Sequence, residues 1–297
     1  MIGGMDYILP LLLNNQWYVG YLFLIMVTSA FVQKNGFIYP ILDFIYKYLP
    51  FKRFFVIVVS LITGILPIPG RVSISAGILS ILAKDDNKSR ENFGIIDYLS
   101  THHYYLWSPL EKSVIVPMAV LGISYAEYIN NMWPLVIVGC VIPFLLIFFL
   151  IDEDSIHINT VRRKENVKWF DLKVLISIAC IIILGNYLKL HTDFFQNYVK
   201  TFSNSLYIAC GLGFVSSFLL GSSSRFSAIT AILTKMFGIK YLPLFFAIDY
   251  SGYMLSPIHK CVMIGKGYFK TPLLKYYKYI LLVCISILLV ALIKIGV

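Results

Sequence analysis

Six apolar runs, at about 16–32, 54–66, 132–151, 172–190, 205–220 and 275–296, dominate a chain of 297 residues. An α-helix needs about 20 apolar residues to cross the roughly 30 Å hydrocarbon core of a bilayer. Within that core the backbone satisfies its own polar groups only as a helix or a closed barrel. Continuous apolar runs, rather than alternating ones, select the helix. Charge supports this reading: only 13% of residues are charged and 59% are hydrophobic, against about 25% charged in soluble domains. The fold expected is an all-α polytopic membrane protein with the lipid bilayer as its medium. Soluble enzymes, secreted disulfide scaffolds and nucleic-acid partners are excluded as classes. The net charge of +10 then reflects basic cytoplasmic loops. Five cysteines stand singly in apolar sequence and read as packing residues. The N-terminus has neither a basic leader nor a small-residue cleavage site, so a cleaved signal peptide is not expected.

The sustained polar stretch from Asp152 to Lys173 lies near the middle of the chain and invites a search for duplication. WSPLEKSVIVP from Trp107 aligns with LSPIHKCVMIG from Leu255, and GRVSISAGIL from Gly70 with SRFSAITAIL from Ser224. An Ile-Asp-Tyr lies between these anchors in each half, at Ile96 and at Ile248. Two repeats are expected, at 1–151 and 172–297, joined by a linker at 152–171. Each holds a long helix, a helical hairpin (about 54–82 and 205–234), a broken helix and a final long helix. With the linker cytoplasmic and each half crossing an odd number of times, 16 basic residues fall inside and five outside, the other four lying within the repeat motifs. That asymmetry favours inverted repeats in a cell membrane, both termini outside. Opposed, re-entrant hairpins meeting near the midplane are a transporter architecture.

Ser108-Pro109 and Ser256-Pro257 are expected to start half-helices, because proline is tolerated at the first helical position and serine caps the amides before it. Such an N-terminus attracts anions. Ser108 and Glu111 fit a capping box, so a satisfied proline kink is the competing reading. Helical spacing would place Ser108, Glu111 and Lys112 on one face, and likewise Ser256, His259 and Lys260. A lysine deep in apolar sequence needs a partner or a water-filled cavity, unless it snorkels to an interface. Arg71 and Arg225 each follow a helix-breaking turn, Pro67-Ile-Pro-Gly and Gly221-Ser-Ser-Ser, and precede Ser73 and Ser227. A guanidinium there can grip a carboxylate or phosphate, or can sit at a surface loop. Asp97 and Asp249 have three open roles: gating against the arginines, binding a coupling cation, or ending helices. His102 and His259 can carry a coupling proton or serve as packing residues. Glu111 joins this coupling or gating group. The sequence holds no zincin, Walker or nucleophile-elbow motif and no ligand cluster at metal spacing, so neither an enzyme nor a metal or organic cofactor is expected beyond a coupling H+ or Na+.

The segments YLSTHHYYLWSPLEKSVIVP, from Tyr98, and DYSGYMLSPIHKCVMIGKGYFKTPL, from Asp249, resemble the paired signatures of an uncharacterised family of prokaryotic integral membrane proteins. That family, a domain of unknown function, is grouped in the ion transporter superfamily with gluconate, citrate and dicarboxylate permeases. The resemblance spans about 65–125 and 205–275. It implies inverted repeats, opposed hairpins and an anionic substrate, and it is compatible with a homodimer. The function expected is secondary transport of an organic anion of carboxylate type, held at the midplane by Arg71, Arg225 and the Ser-Pro half-helices, with Lys112 and Lys260 adding attraction. The rival is a flippase for a phosphate-headed lipid carrier such as a polyprenyl phosphate, in which the same cations hold the headgroup.

Overall fold

The structure, a computed structural model, describes residues 51–65, 71–156, 205–221, 223–257 and 259–296, with positions 27, 40, 44, 47 and 48. The long helix expected near 16–32, the run at 172–190, the linker beyond 156 and the first hairpin turn at 66–70 lie outside the described residues. So do the side chains of Arg71, Ser73, Arg225 and Lys260.

Helices account for the regular structure among the described residues. The first half holds α1 (Lys52–Ile65), α2 (Arg71–Leu82), α3 (Asn87–Ser100), the single turn α4 (Tyr104–Trp107), α5 (Lys112–Leu121) and α6 (Tyr125–Leu150). The second holds α7 (Leu206–Leu220), α8 (Ser223–Phe237), α9 (Leu242–Leu255), α10 (Lys260–Phe269) and α11 (Leu273–Ile295). Local sequence sets the boundaries. Ser124 and Glu127 form a capping box that starts α6, the Ser124 amide donating to Glu127 Oε2 at 2.7 Å. Gly122 and Gly221 close α5 and α7 at φ 68° and 52°, where a side chain would be strained.

Two helices, α6 and α11, are long and apolar enough to cross a membrane. Their inner faces, Tyr128, Met132, Leu135, Gly139, Pro143 and Ile147 on one and Tyr276, Ile280, Val283, Cys284, Ile287 and Ala291 on the other, are buried in the bundle. Their outer faces expose Trp133, Ile137, Val141, Leu145, Leu281, Ile285, Leu289 and Ile293. Helices apolar on every side need an apolar medium on the face the protein does not cover. The pair runs antiparallel: Lys294 Nζ lies 5.8 Å from the Trp133 ring centroid, while Ile287 sits against Gly139.

Packing pairs the two halves reciprocally. Within each half the hairpin helices meet (α1 with α2, α7 with α8), and α3 packs on α6 as α9 does on α11. Between halves α2 packs on α10, α8 on α5, and α6 on α11. The C-terminal end of α6 gathers charge. Glu153 accepts from the Lys52 amide at 2.9 Å and the Arg53 amide at 3.4 Å, so it caps α1 from about a hundred residues away. Lys84 N donates to Ser155 O, Asn92 Nδ2 to Leu150 O, and Lys275 Nζ to Glu91 Oε2 at 2.8 Å. Both ends of the first hairpin, the start of α3 and the start of α11 therefore meet at one end of the bundle.

Two outcomes follow. Glu153→Ala should lower stability by about 1–2 kcal/mol in chemical denaturation, because it uncaps α1 and removes a charge-assisted acceptor. Asp86 caps α3 by accepting from Ser89 N and Oγ, both at 2.8 Å, which hold its carboxyl below the ordinary 3.8. A depressed acid contributes stability that is present above its unfolded value and is lost as pH falls through the folded one. Asp86→Asn, which retains the cap, should therefore soften the loss of thermal stability below about pH 4.

Candidate functional site

The centre of the bundle is formed by α3 and α9, which are buried over Asn92–Ser100 and Leu242–Met254. Each carries the aspartate of its Ile-Asp-Tyr, and both aspartates are 0% exposed. Each faces the second helix of its own hairpin. Thr230 of α8 donates to Asp249 Oδ2 at 2.5 Å, and Ser75 of α2 faces Asp97. Asp249 Oδ1 and both Asp97 oxygens close no hydrogen bond among the described residues. Gly213 of α7 makes room for Asp249, since a β-carbon there would strike Oδ1. Ser60, Ser75, Ser217, Thr234 and Ser256 add buried hydroxyl oxygens that likewise lack a partner among the described residues.

Both central helices break after these acids. In the first half α3 ends at Ser100, the turn Thr101–His103 intervenes, and α4 ends at Trp107; in the second, α9 runs on to Leu255. The Ser-Pro steps do not start helices, contrary to the expectation from sequence. Ser108 is the C-cap of α4 and Ser256 that of α9, and the following helices begin at Lys112 and Lys260 with Glu111 and His259 as N-caps. The amides of Glu111 and His259 donate to the Ser108 and Ser256 carbonyls, at 2.9 and 3.1 Å, closing a turn rather than a helix. Proline one residue past a C-cap stops the preceding helix as readily as it starts the next. The Ser108–Glu111 capping box is therefore not formed, and neither trio shares a helical face.

Carbonyls released by the breaks find donors. Ser113 Oγ donates to Tyr105 O at 2.6 Å, Tyr128 Oη to Leu106 O at 3.1 Å and Tyr125 Oη to Trp107 O at 2.8 Å. In the second half Tyr98 Oη donates to Met254 O at 3.1 Å. The amide ends differ: neither Glu111 nor His259 caps its helix with a side chain. Lys112 opens α5 with no ion pair or hydrogen bond from its Nζ among the described residues, and Lys260 opens α10. Arg71 is the first residue of α2 and Arg225 the third of α8. Ser227 is fully buried in α8.

His102 and His259, both buried, meet across the halves with Nε2 atoms 3.2 Å apart. His102 Nδ1 lies 2.5 Å from Tyr98 O, and His259 Nδ1 lies 3.1 Å from Tyr253 O and 3.0 Å from Tyr98 Oη. The rings of Tyr98, Tyr105 and Tyr253 pack around the pair. With Cys261 these histidines place three donor atoms within 4.8 Å of one another, a grouping that the sequence reading missed. The adjacent His103 accepts from Trp107 Nε1 at 3.1 Å and meets Phe144 edge-on, as a packing residue does. The signals available in sequence were the His-x-Cys at 259–261 and the length mismatch between the halves. Asp97 to Ser108 spans four residues more than Asp249 to Ser256, and His102 lies in the surplus.

A family model described as "Protein of unknown function (DUF401)" matches residues 4–210 and 197–297. No curated protein and no solved structure matches the chain.

Tyr98 ties α3 to the end of α9 through one hydroxyl. Tyr98→Phe should cost about 1–2 kcal/mol in denaturant midpoint analysis, the usual penalty for stranding a buried acceptor; an unchanged midpoint would show that the junction does not depend on it.

Proposed function

The chain belongs to this family of proteins of unknown function (DUF401), and we propose that it is a secondary transporter of an organic anion in the cell membrane. The observation that carries this reading is the unpaired Lys112 at the start of α5. A cation at a helix N-terminus opposes the macrodipole and is normally unfavourable. Among the described residues several cations at helix starts have acids: Arg53 has Asp152 and Glu153, Arg90 has Asp85, and Lys275 has Glu91. At the α5 terminus the N-cap Glu111 makes no side-chain cap and, among the described residues, no ion pair joins it to Lys112, and α5 packs on α8, whose first turn carries Arg225. The reciprocal pair, α2 with Arg71 and α10 with Lys260, repeats the pattern. Four helix starts bearing cations, in two packed pairs, suit a carboxylate ligand.

The repeat reading draws support from the same packing. Equivalent helices α6 and α11 run antiparallel, as an inverted repeat requires, and the cross-half pairs α2–α10 and α8–α5 exchange under that symmetry. The hairpin helices have 14, 12, 15 and 15 residues, or roughly 18–22 Å, short of a bilayer core. That favours re-entrant hairpins, and the relation to anion permeases in the ion transporter superfamily is proposed on the same grounds. Basic residues gathered where α6 ends agree with a cytoplasmic linker and an outward C-terminus. Buried, under-bonded Asp97 and Asp249 are the groups on which a coupling H+ or Na+ would bind.

The test is thermal stability of the purified protein against soluble carboxylates and, separately, polyprenyl phosphates. A ligand at 100 times its Kd should stabilise by about 2.7 kcal/mol. Stabilisation by a carboxylate that is lost in Lys112→Gln, Arg71→Ala and Arg225→Ala is expected. A response confined to lipid phosphates would replace the solute carrier by a lipid flippase, and retention of the carboxylate response in all three variants would refute the site.

A further inference from the structure

The junction of His102, His259 and Cys261 lies on the C-terminal side of α3 and at the first residues of α10, on either side of Lys260. We propose that it is a binding site for a thiophilic transition-metal ion of the Zn2+ class. The inference does not depend on the carrier reading.

Geometry provides the first support. In a tetrahedral zinc site with Zn–N near 2.0–2.1 Å, two imidazole nitrogens stand about 3.4 Å apart. His102 Nε2 and His259 Nε2 are 3.2 Å apart, and Cys261 Sγ lies within the same 4.8 Å grouping. The three residues come from separate parts of the chain, so the arrangement is produced by the fold: the turn after α3 supplies one histidine, the N-cap of α10 the other, and the first turn of α10 the cysteine.

The arrangement behind the rings provides the second. A metal-binding imidazole ordinarily donates its distal N–H to a carbonyl or carboxylate, which fixes the tautomer that leaves the other nitrogen free to ligate. Both rings have that partner. His102 Nδ1 is 2.5 Å from Tyr98 O, and His259 Nδ1 is 3.1 Å from Tyr253 O; a carbonyl can only accept. With both Nδ1 atoms donating, the two Nε2 lone pairs point at each other across 3.2 Å, an arrangement that calls for a cation between them. Without metal a second arrangement satisfies the same atoms. Tyr98 Oη donates to His259 Nδ1 at 3.0 Å, and His259 Nε2–H donates to His102 Nε2. When an ion binds, the proton on His259 moves from Nε2 to Nδ1, the Tyr98 hydroxyl turns to Met254 O at 3.1 Å, and the Cys261 thiol releases its proton to water. One proton leaves per ion. Two neutral imidazoles and one thiolate select Zn2+ over Mg2+ or Ca2+, which take oxygen ligands. Cys261 is the partly exposed member of the three.

The repeat supplies a third argument. In the aligned halves His259 corresponds to Glu111, Cys261 to Ser113, and His102 lies in the four-residue surplus of the first half. The three ligands therefore occur once, where the repeats differ, so they are not a by-product of the duplicated architecture.

The experiment uses the full chain, purified in detergent and stripped with chelator. Co2+ is titrated as a spectroscopic stand-in for Zn2+, and bound metal is counted by elemental analysis. One Co2+ per chain is expected, with a thiolate-to-cobalt charge-transfer band and tetrahedral ligand-field bands that Zn2+ bleaches. Cys261→Ser should lose the charge-transfer band, whereas Cys284→Ser should keep it. His102→Gln and His259→Gln should weaken binding beyond the roughly 10–100-fold that changes behind the ligands cause. Zn2+ should raise the Tm of the wild type and not of Cys261→Ser, whose conservative change leaves the fold intact. Absence of stoichiometric cobalt binding, as for a histidine pair that only shares a proton, would overturn the proposal. So would a charge-transfer band that survives in Cys261→Ser.

Discussion

A helix that ends inside an apolar bundle leaves carbonyls at one end and amides at the other without water, and each unpaired group costs several kcal/mol in lipid. The centre of this protein is arranged around that cost. Carbonyls at the ends of α4 and α9 are covered by Ser113, Tyr125, Tyr128 and Tyr98, so tyrosine hydroxyls supply what water would provide at a surface. The amide ends of α5 and α10 are left without side-chain caps and begin with lysine. One polarity is satisfied internally and the other is left for something else. That asymmetry, rather than the broken helices as such, gives the proposed carrier its sign selectivity: internal donors already occupy the carbonyls that would hold a cation, while the amide ends can still receive an anion.

Sequence made the broad architecture legible because lipid leaves few options. Continuous apolar runs can only be helices, and α6 and α11 appear close to the runs at 132–151 and 275–296. Helices also appear within a few residues of the spans at 54–82 and 205–234, and Gly221 terminates one of them by the same backbone preference in any medium. Failures of the sequence reading occur where one signal has two structural outcomes. Ser-Pro satisfies both the start of a helix and the residues just after one, and propensity alone does not choose between them. Here the second outcome is realised: Tyr104 O and Tyr253 O accept the Ser108 and Ser256 amides, so each serine closes the preceding helix.

The buried acids illustrate a different limit. Their repetition as Ile-Asp-Tyr was visible, but nothing in the sequence tells whether an aspartate in an apolar run will find a donor. Asp249 has Thr230 and Asp97 closes no hydrogen bond among the described residues, although Ser75 faces it. Equivalent positions are thus chemically unequal. A carboxylate with a partly satisfied shell suits cation exchange, since full satisfaction would lock one charge state and complete isolation would keep the acid neutral.

Inequality between the proposed repeats extends to the histidines. A perfect duplication would set glutamate against glutamate, or histidine against histidine, at the two N-caps, and neither pair would place His102 opposite His259. The additional residues between Asp97 and Ser108 amount to about one helical turn, and they are absorbed by breaking α3 rather than lengthening it. That break turns His102 across the interface and frees Tyr98 O from the helical ladder to accept from its ring. Duplication can supply two similar half-sites for one anion, but a site made from ligands of different kinds needs the halves to diverge. Here the divergence is local: it adds a turn at the centre and leaves the reciprocal packing of α2 with α10 and α8 with α5 in place.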